Sequence, residues 1–249
     1  LLPFANAPVR PLLGRAHDSP EDVQDGVVHA GITGANLVAE ADADVATITE
    51  LGFARCSLQA AVPEDAPQTD LAGLAGLRVA TTYPRSTRAE LARLGIDAEL
   101  ITVSGSVEAS PRLGLSDAIV DLVSTGSTAS ANGLRLIGKL LDSQAVLVAS
   151  HAALEAKAPL LERLQLMLDG VVAARRRRYL MMNAPESALA EIRSVLPSMG
   201  APSVLQLAEP GQIAIHAAVD SDDLWELLPP LKAAGASSIL VVPLERIIP

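Results

Sequence analysis

The chain has 249 residues, a formal net charge of −10 and 49% hydrophobic residues, with aromatics at only 2%. Its core must therefore be built from Ala, Val, Leu and Ile, and the negative charge argues against nucleic acid or an anionic membrane as partners. Cys56 is the single cysteine, which excludes a disulfide framework, points to a reducing compartment and predicts a small buried side chain. No apolar run reaches the roughly 18 residues of a membrane span. The opening Leu1-Leu2-Pro3-Phe4 lacks the charged start of a signal peptide, so a cytoplasmic protein is expected.

Residues 1–13 hold three prolines and show no usable period. A helix start follows, with Ser19 as N-cap, Pro20 at the first helical position and Glu21 and Asp22 in the first turn. Gly26 is the expected stop. Residues 27–34 read as a strand opening into Gly31-Ile32-Thr33-Gly34, where two glycines permit either close approach of a ligand or simply a tight turn. His29, on physical grounds, is a solvent-facing or satisfied histidine rather than a ligand.

A small-residue connector at 70–76 marks a domain boundary. Beyond it, residues 77–81 read as a strand, 86–94 as a helix stopped by Gly95, 98–103 as a second strand, 106–113 as a short helix and 119–123 as a third strand. This alternation argues a parallel sheet. Thr82-Tyr83-Pro84 follows the first of these strands. There Tyr83 either stacks on a purine or anchors its loop.

The third strand runs into Ser124-Thr125-Gly126-Ser127-Thr128. Ligands of open α/β sheets sit outside the carboxyl ends of strands. This turn can offer several backbone N–H groups and four hydroxyls to one anion, and a following helix start adds partial positive charge. Asp121 just upstream can accept hydrogen bonds from two sugar hydroxyls. A carboxylate beside an anion cradle suits a ribose 5-phosphate. The bland alternative is an ordinary strand–turn–helix connection. Glu108 lies in the neighbouring small-residue turn and either orders the loop or faces the substrate.

Residues 144–149 read as an apolar strand and 154–168 as a helix. Arg175 to Arg178, four arginines in a row, reads as a solvated linker face. From residue 179 the order becomes strand, helix, strand, strand, helix, strand, at 179–182, 185–196, 203–207, 212–219, 222–234 and 238–242. This is the split βαβ pattern of a ferredoxin-like domain. Pro229-Pro230 predicts a kink or two short helices, because an interior proline costs about 3 kcal/mol.

The run Glu108, Gly114, Ser116, Ile119, Asp121, Thr125-Gly126 and Thr128 closely resembles the signature of the ATP phosphoribosyltransferases, which open histidine biosynthesis. Gly31-Ile32-Thr33-Gly34 matches that family's glycine turn, and Tyr83-Pro84 its Tyr-Pro turn. Tyr179 to Pro185 and Gly235 to Leu240 resemble the regulatory domain of its long form. Ala129 departs from the family's Leu or Met, and His29 from its usual acidic residue. The family also begins with a strand and a Lys-Gly-Arg turn that have no counterpart here, so the chain is expected to start some tens of residues late.

The resemblance implies an α/β fold with a two-lobed, periplasmic-binding-protein-like catalytic region and a C-terminal ferredoxin-like (ACT-like) α+β domain. Its expected bounds are 1–73 with 144–174 for the first lobe, 74–143 for the second and 175–249 for the regulatory domain. It implies transfer of a phosphoribosyl group from 5-phosphoribosyl diphosphate to N1 of ATP, with release of diphosphate and feedback inhibition by histidine. The alternative is a non-catalytic two-lobed binder or sensor of small anions. Expected contacts are Asp121, Ser124, Thr125, Gly126, Ser127 and Thr128 for phosphoribosyl diphosphate. Tyr83, Gly31, Thr33, Gly34 and Glu108 are expected for ATP, and Asn183, Ser237 and Ser238 for histidine. Mg²⁺ is expected to ride mainly on the diphosphate oxygens, with no protein metal site and no residue assigned to covalent catalysis. A dimer or hexamer of this chain is the expected assembly.

Overall fold

The structure, a computed structural model, describes residues 8–196 and 201–248. Part of the unassigned opening, residues 1–7, lies outside them. The chain divides into two compact units, Leu1–Leu161 and Glu162–Pro249.

The first unit contains two sheets. Helix α1 (Ser19–Gln24) is followed by β1 (Ala30–Gly34), α2 (Ala35–Ala41) and β2 (Ala46–Glu50). Asp18 rather than Ser19 is its N-cap, and Pro20 sits within the first turn. Gly26 follows with φ 73°. With β8 (Ala145–Ala149), these strands make a three-stranded sheet in the order β1-β8-β2, antiparallel throughout. Val23 of α1 packs on Val146 and Val148 of the central strand.

The second sheet holds β3 (Cys56–Pro63), β4 (Arg78–Thr81), β5 (Glu99–Thr102), β6 (Ala118–Val123) and β7 (Leu134–Ser143), in the order β5-β4-β6-β3-β7. The expected parallel pairing holds for β5-β4-β6. It fails beyond β6, because β3 runs antiparallel to both β6 and β7. Helices α3 (Pro84–Arg93) and α4 (Ser127–Ala131) follow β4 and β6. The short helix expected at 106–113 is only a 3₁₀ turn at Val107–Ala109. Small residues dominate the core, where Ala60, Ala80 and Ala118 are fully buried beside Leu58, Val62, Val79 and Val120. Cys56, expected to be buried, is only partly so.

The first crossing between the sheets lies at residues 51–55, not near 73, because β3 belongs by hydrogen bonding to the second sheet. The return crossing is Gln144 alone, between the end of β7 and the start of β8.

Helix α5 (His151–Arg175) is longer than expected and runs from the first unit into the second. Pro159 deprives it of one N–H and crowds the preceding turn, and Lys157 accordingly adopts φ −130°. The arginine run is not a linker, since Arg175 ends α5 and Arg177 begins β9 (Arg177–Pro185). By its contacts the second half of α5, from Glu162, goes with the second unit.

There β10 (Ser203–Gln206), β11 (Gln212–Asp220) and β12 (Ser237–Pro243) join β9 in the antiparallel order β10-β11-β9-β12. Alternate residues Leu180, Met182 and Ala184 of β9 and Ile213, Ile215, Ala217 and Val219 of β11 meet α6 (Leu189–Val195) and α7 (Leu224–Ala233) through Ile192, Leu227 and Leu231. This is the expected ferredoxin-like arrangement. Helix α7 is continuous through Pro229 and Pro230 rather than broken. The two carbonyls these prolines leave unpaired belong to Trp225 and Glu226, which are exposed, so water can satisfy them.

Candidate active site

Strand β6 is anchored at its start and open at its end. At the start, Asp117 accepts Arg78 Nη2 at 2.8 Å, Nε at 3.1 Å and the Arg78 backbone N–H at 3.0 Å. Its own N–H donates to the Arg78 carbonyl at 2.8 Å. These bonds fix β6 against β4 and hold the Asp117 carboxyl below the usual carboxylate range.

At the far end the chain turns at Gly126, whose φ of 78° is one an L side chain rarely adopts. Ser124, Thr125, Ser127 and Thr128 are exposed around that turn, with Thr125 Oγ1 and Ser127 Oγ 3.0 Å apart. The first amides of α4 have no acceptor within the helix. Ala129, the departure from the family's larger residue, is buried with Ala61, Ala80, Val107 and Ile119 and also borders the concavity over the turn, so the smaller side chain leaves more room at that wall.

A concavity of ≈ 250 Å³ opens over this turn. Ser124, Thr125, Gly126 and Thr128 line it together with Asp121 and Glu108. Asp121 Oδ1 accepts the Leu122 N–H at 2.8 Å, and Oδ2 has no partner among the described residues. Burial pushes its carboxyl above the ordinary value, the Leu122 N–H opposes the shift, and Glu108 adds repulsion. Asp121 thus keeps acceptor capacity in a site that also presents the hydroxyls of the turn and the Glu108 carboxylate.

Gln59 and Leu136 were not legible from the sequence as site residues. Gln59 lies directly opposite Asp121 in the β3–β6 register and lines the same concavity. Its amide donates to Ser57 Oγ at 2.7 Å. Leu136 of β7 supplies an apolar edge. Both arrive through long-range antiparallel pairing, for which no local motif exists.

The residues expected at ATP separate into two places. Glu108 lines the concavity. Tyr83 does not line it: Thr81 pairs with Val120, and Tyr83 follows at the adjoining strand end, packed on the Val120 and Leu122 face of the sheet. Burial and then the Asp121 charge push the Tyr83 phenol upward. Gly31, Thr33 and Gly34 belong to the other sheet. Thr33, 3% exposed, donates to the Ala16 carbonyl at 2.6 Å. A Cβ on Gly31 would collide with Ser19, and one on Gly34 with Asn36, so close internal packing accounts for both glycines. His29 is exposed.

In the second unit, Asn183 and Ser237 are register partners on β9 and β12, and Ser237 Oγ donates to the Asn183 carbonyl at 3.3 Å. Ser238 lies in the irregularity between Ser237 and Leu240, with φ 48°. The three residues expected at histidine are thus brought together at one end of an edge strand.

Among the described residues no group of three or more His, Cys, Asp or Glu side chains is placed to hold a metal. No described helix is long and apolar enough to cross a membrane.

Comparison with known proteins agrees with this geometry. The family model for ATP phosphoribosyltransferase matches residues 15–170, and that for the HisG C-terminal domain matches residues 174–246. An ATP phosphoribosyltransferase of Methanosarcina acetivorans is 41% identical over 243 residues, covering 96% of this chain and 84% of the relative. One of Bacteroides thetaiotaomicron is 38% identical over 248 residues, covering 100% and 88%. Among solved structures, the ATP phosphoribosyl transferase HisG:HisZ complex of Thermotoga maritima matches with TM-score 0.56 and 25% identity, over 63% of this chain and 78% of that one. Two α/β lobes followed by a ferredoxin-like domain, a strand-end hydroxyl turn beside a half-buried carboxylate, and matches along nearly the whole sequence lead to one conclusion: the chain belongs to the ATP phosphoribosyltransferase family.

Proposed function

We propose that this protein joins N1 of the adenine of ATP to C1 of 5-phosphoribosyl diphosphate and releases diphosphate, as the first step of histidine biosynthesis. The observation that carries the reading is the concavity shared by Asp121, Glu108 and the Ser124–Thr128 turn. Hydroxyls and amides of the turn take the 5-phosphate, and Asp121, with a free carboxylate oxygen, takes the ribose hydroxyls. As the C1–oxygen bond to diphosphate lengthens and the N1–C1 bond forms, the ribose gains oxocarbenium character. The two carboxylates at the site favour that positive charge, and the chain otherwise acts by positioning. Glu108, in the concavity, and Tyr83, at the adjoining strand end, take the adenine end of the substrate. The stretch Gly31–Gly34 contributes backbone shape rather than the Thr33 hydroxyl.

Mg²⁺ suits this donor set as an ion carried mainly by the diphosphate, since Mg²⁺ commonly takes one or two carboxylates plus substrate phosphates. Asp121 and Glu108 are the carboxylates that would face it, and bound there it would neutralise charge on the leaving group. The ferredoxin-like unit is the regulatory part of the reading. Free histidine is clasped near Asn183, Ser237 and Ser238, and the chain works as a cytoplasmic homo-oligomer.

The test is diphosphate release from ATP and phosphoribosyl diphosphate with Mg²⁺ present. Turnover that needs both substrates and falls on adding histidine is the expected result. Tight binding of phosphoribosyl diphosphate with no turnover would instead identify a non-catalytic anion binder. Asn183→Ala should weaken histidine inhibition roughly five- to ten-fold, the scale of one hydrogen bond, and leave uninhibited turnover unchanged. Equal inhibition of variant and parent would remove Asn183 from the effector site.

A further inference from the structure

Helix α3 carries no cap of its own. Its N-cap position is Tyr83, which makes no side-chain capping bond, although Ser, Thr, Asp and Asn are the residues that satisfy a helix start. The missing acceptor comes from the other sheet's layer. Glu40, near the end of α2, accepts the Arg85 backbone N–H through Oε1 at 3.0 Å and the Ser86 backbone N–H through Oε2 at 2.8 Å. Arg85 returns the contact, with its guanidinium donating to the Ala41 carbonyl at 2.8 Å. The negative end of α2 therefore meets the positive start of α3, and each helix caps the other.

Two further features give this exchange a consequence for the site. First, α2 is also held at its opposite end, where the Asn36 N–H donates to Ser143 Oγ at 3.0 Å and Ser143 Oγ donates to Asn36 Oδ1 at 2.7 Å. Ser143 lies immediately before Gln144, the single-residue return crossing between the sheets. A movement of one lobe against the other about the crossings would leave the Asn36–Ser143 end of α2 in place and open the Glu40 end. Second, the residues Glu40 grips directly follow the Tyr83-Pro84 turn. Tyr83 is itself tied down on both sides, its N–H donating to Thr81 Oγ1 at 2.9 Å and its carbonyl accepting the Thr87 N–H at 2.9 Å. It packs on the cluster that contains Val120 and Leu122, at the carboxyl end of β6, while Asp121 between them opens to the concavity on the other face. A local Ser or Asp cap would have stabilised α3 equally well without involving the other lobe.

We propose that Glu40 is a positioning residue: by capping α3 from the opposite lobe it holds the Tyr83-Pro84 turn, at the strand end adjoining the concavity, only when the lobes are together, so that lobe closure fixes the surface that adenine rests on. The proposal rests on the functional reading above for the identity of the ligand at Tyr83, but the latch itself does not. Arg85 supports the contact and touches no part of the concavity.

The experiment uses the full chain with Glu40→Ala, Glu40→Gln, Tyr83→Ala and the Glu40→Ala/Tyr83→Ala double variant. Hydrogen exchange across residues 82–87 reads the latch without any ligand. Faster exchange there in Glu40→Ala, with the rest of the first unit unchanged, is expected, and unchanged exchange would overturn the latch. Calorimetric titration with ATP reads the positioning. Glu40→Ala should weaken ATP about ten-fold in the parent background and less than two-fold in the Tyr83→Ala background, with Glu40→Gln between parent and Glu40→Ala. The same loss in both backgrounds would show that Glu40 does not act through Tyr83. Should Glu40→Ala fail to fold, Glu40→Gln against Tyr83→Ala provides the same cycle with a smaller expected change. A parent that binds ATP but releases no diphosphate would sink the enzymatic reading and leave the cycle to decide the latch.

Discussion

The two ends of β6 put the same side chain to opposite uses. Asp117 is surrounded by donors from Arg78, its carboxyl is lowered by them, and it aligns two strands. Asp121 receives one backbone N–H, is raised by burial and by Glu108, and keeps an oxygen free over the concavity. One carboxylate is satisfied by the fold, and the other is left for a ligand to satisfy. A half-buried carboxylate pushed above its ordinary value is a cost to folding, one that donors from a ligand would offset.

The largest test of the contrast is to neutralise each carboxylate in turn. Asp121→Asn should weaken phosphoribosyl diphosphate by about 3 kcal/mol, roughly a hundred-fold, because two sugar hydroxyls lose a charged acceptor. Asp117→Asn should leave that affinity within about two-fold and instead lower the melting temperature, since Arg78 loses its ionised partner. Comparable losses of affinity in both variants would collapse the distinction. Next in size, Thr128→Val should weaken phosphoribosyl diphosphate by about 1–3 kcal/mol and ATP by less. Equal loss for both ligands in calorimetric titrations would make the turn a structural element only.

The smallest effect is on stability against pH, and there the two carboxylates should differ in sign. The native Asp121 carboxyl titrates above its unfolded counterpart, near the ordinary value of about 3.9. Between those two values the native state holds more protons, so stability falls as pH rises, and the cost is complete above the native value. The stability of Asp121→Asn relative to the parent should therefore grow as pH rises through that interval. Asp117 is lowered, so its contribution is present above about 3.9 and is lost as pH falls through its native value. The deficit of Asp117→Asn should shrink on acidification. Thermal melts from pH 3 to pH 7 would show both trends, or their absence.

What was legible in the sequence follows a physical division. The cradle could be read because its parts are contiguous: an apolar strand, a carboxylate on it, then Gly126 among hydroxyls. The ferredoxin-like unit could be read because β9 and β11 alternate buried and open positions, and the long chain segments between them hold amphipathic helices. β3 and β7 were missed for the opposite reason. Their mutual register shifts twice, between Leu58 and Gln59 and between Ala60 and Ala61, so neither keeps a clean two-residue period. With β3 unseen, the lobe boundary was placed too late, and Gln59 could not be brought to Asp121. The Pro229-Pro230 pair predicts a break because interior prolines cost hydrogen bonds, yet α7 runs on, and the residues whose carbonyls lose those partners, Trp225 and Glu226, are exposed. Glu40 was invisible for yet another reason, because capping by a residue from a different helix leaves no spacing in the sequence to find.

The central claim, that Asp121 and the turn after it hold the ribose 5-phosphate end of the substrate, is tested most directly by calorimetric titration of phosphoribosyl diphosphate and of ribose 5-phosphate into the parent, Asp121→Asn and Asp117→Asn proteins. Loss of both ligands in Asp121→Asn, with Asp117→Asn binding both like the parent, is the predicted result. Parent-like affinity of Asp121→Asn for the two ligands would contradict the account.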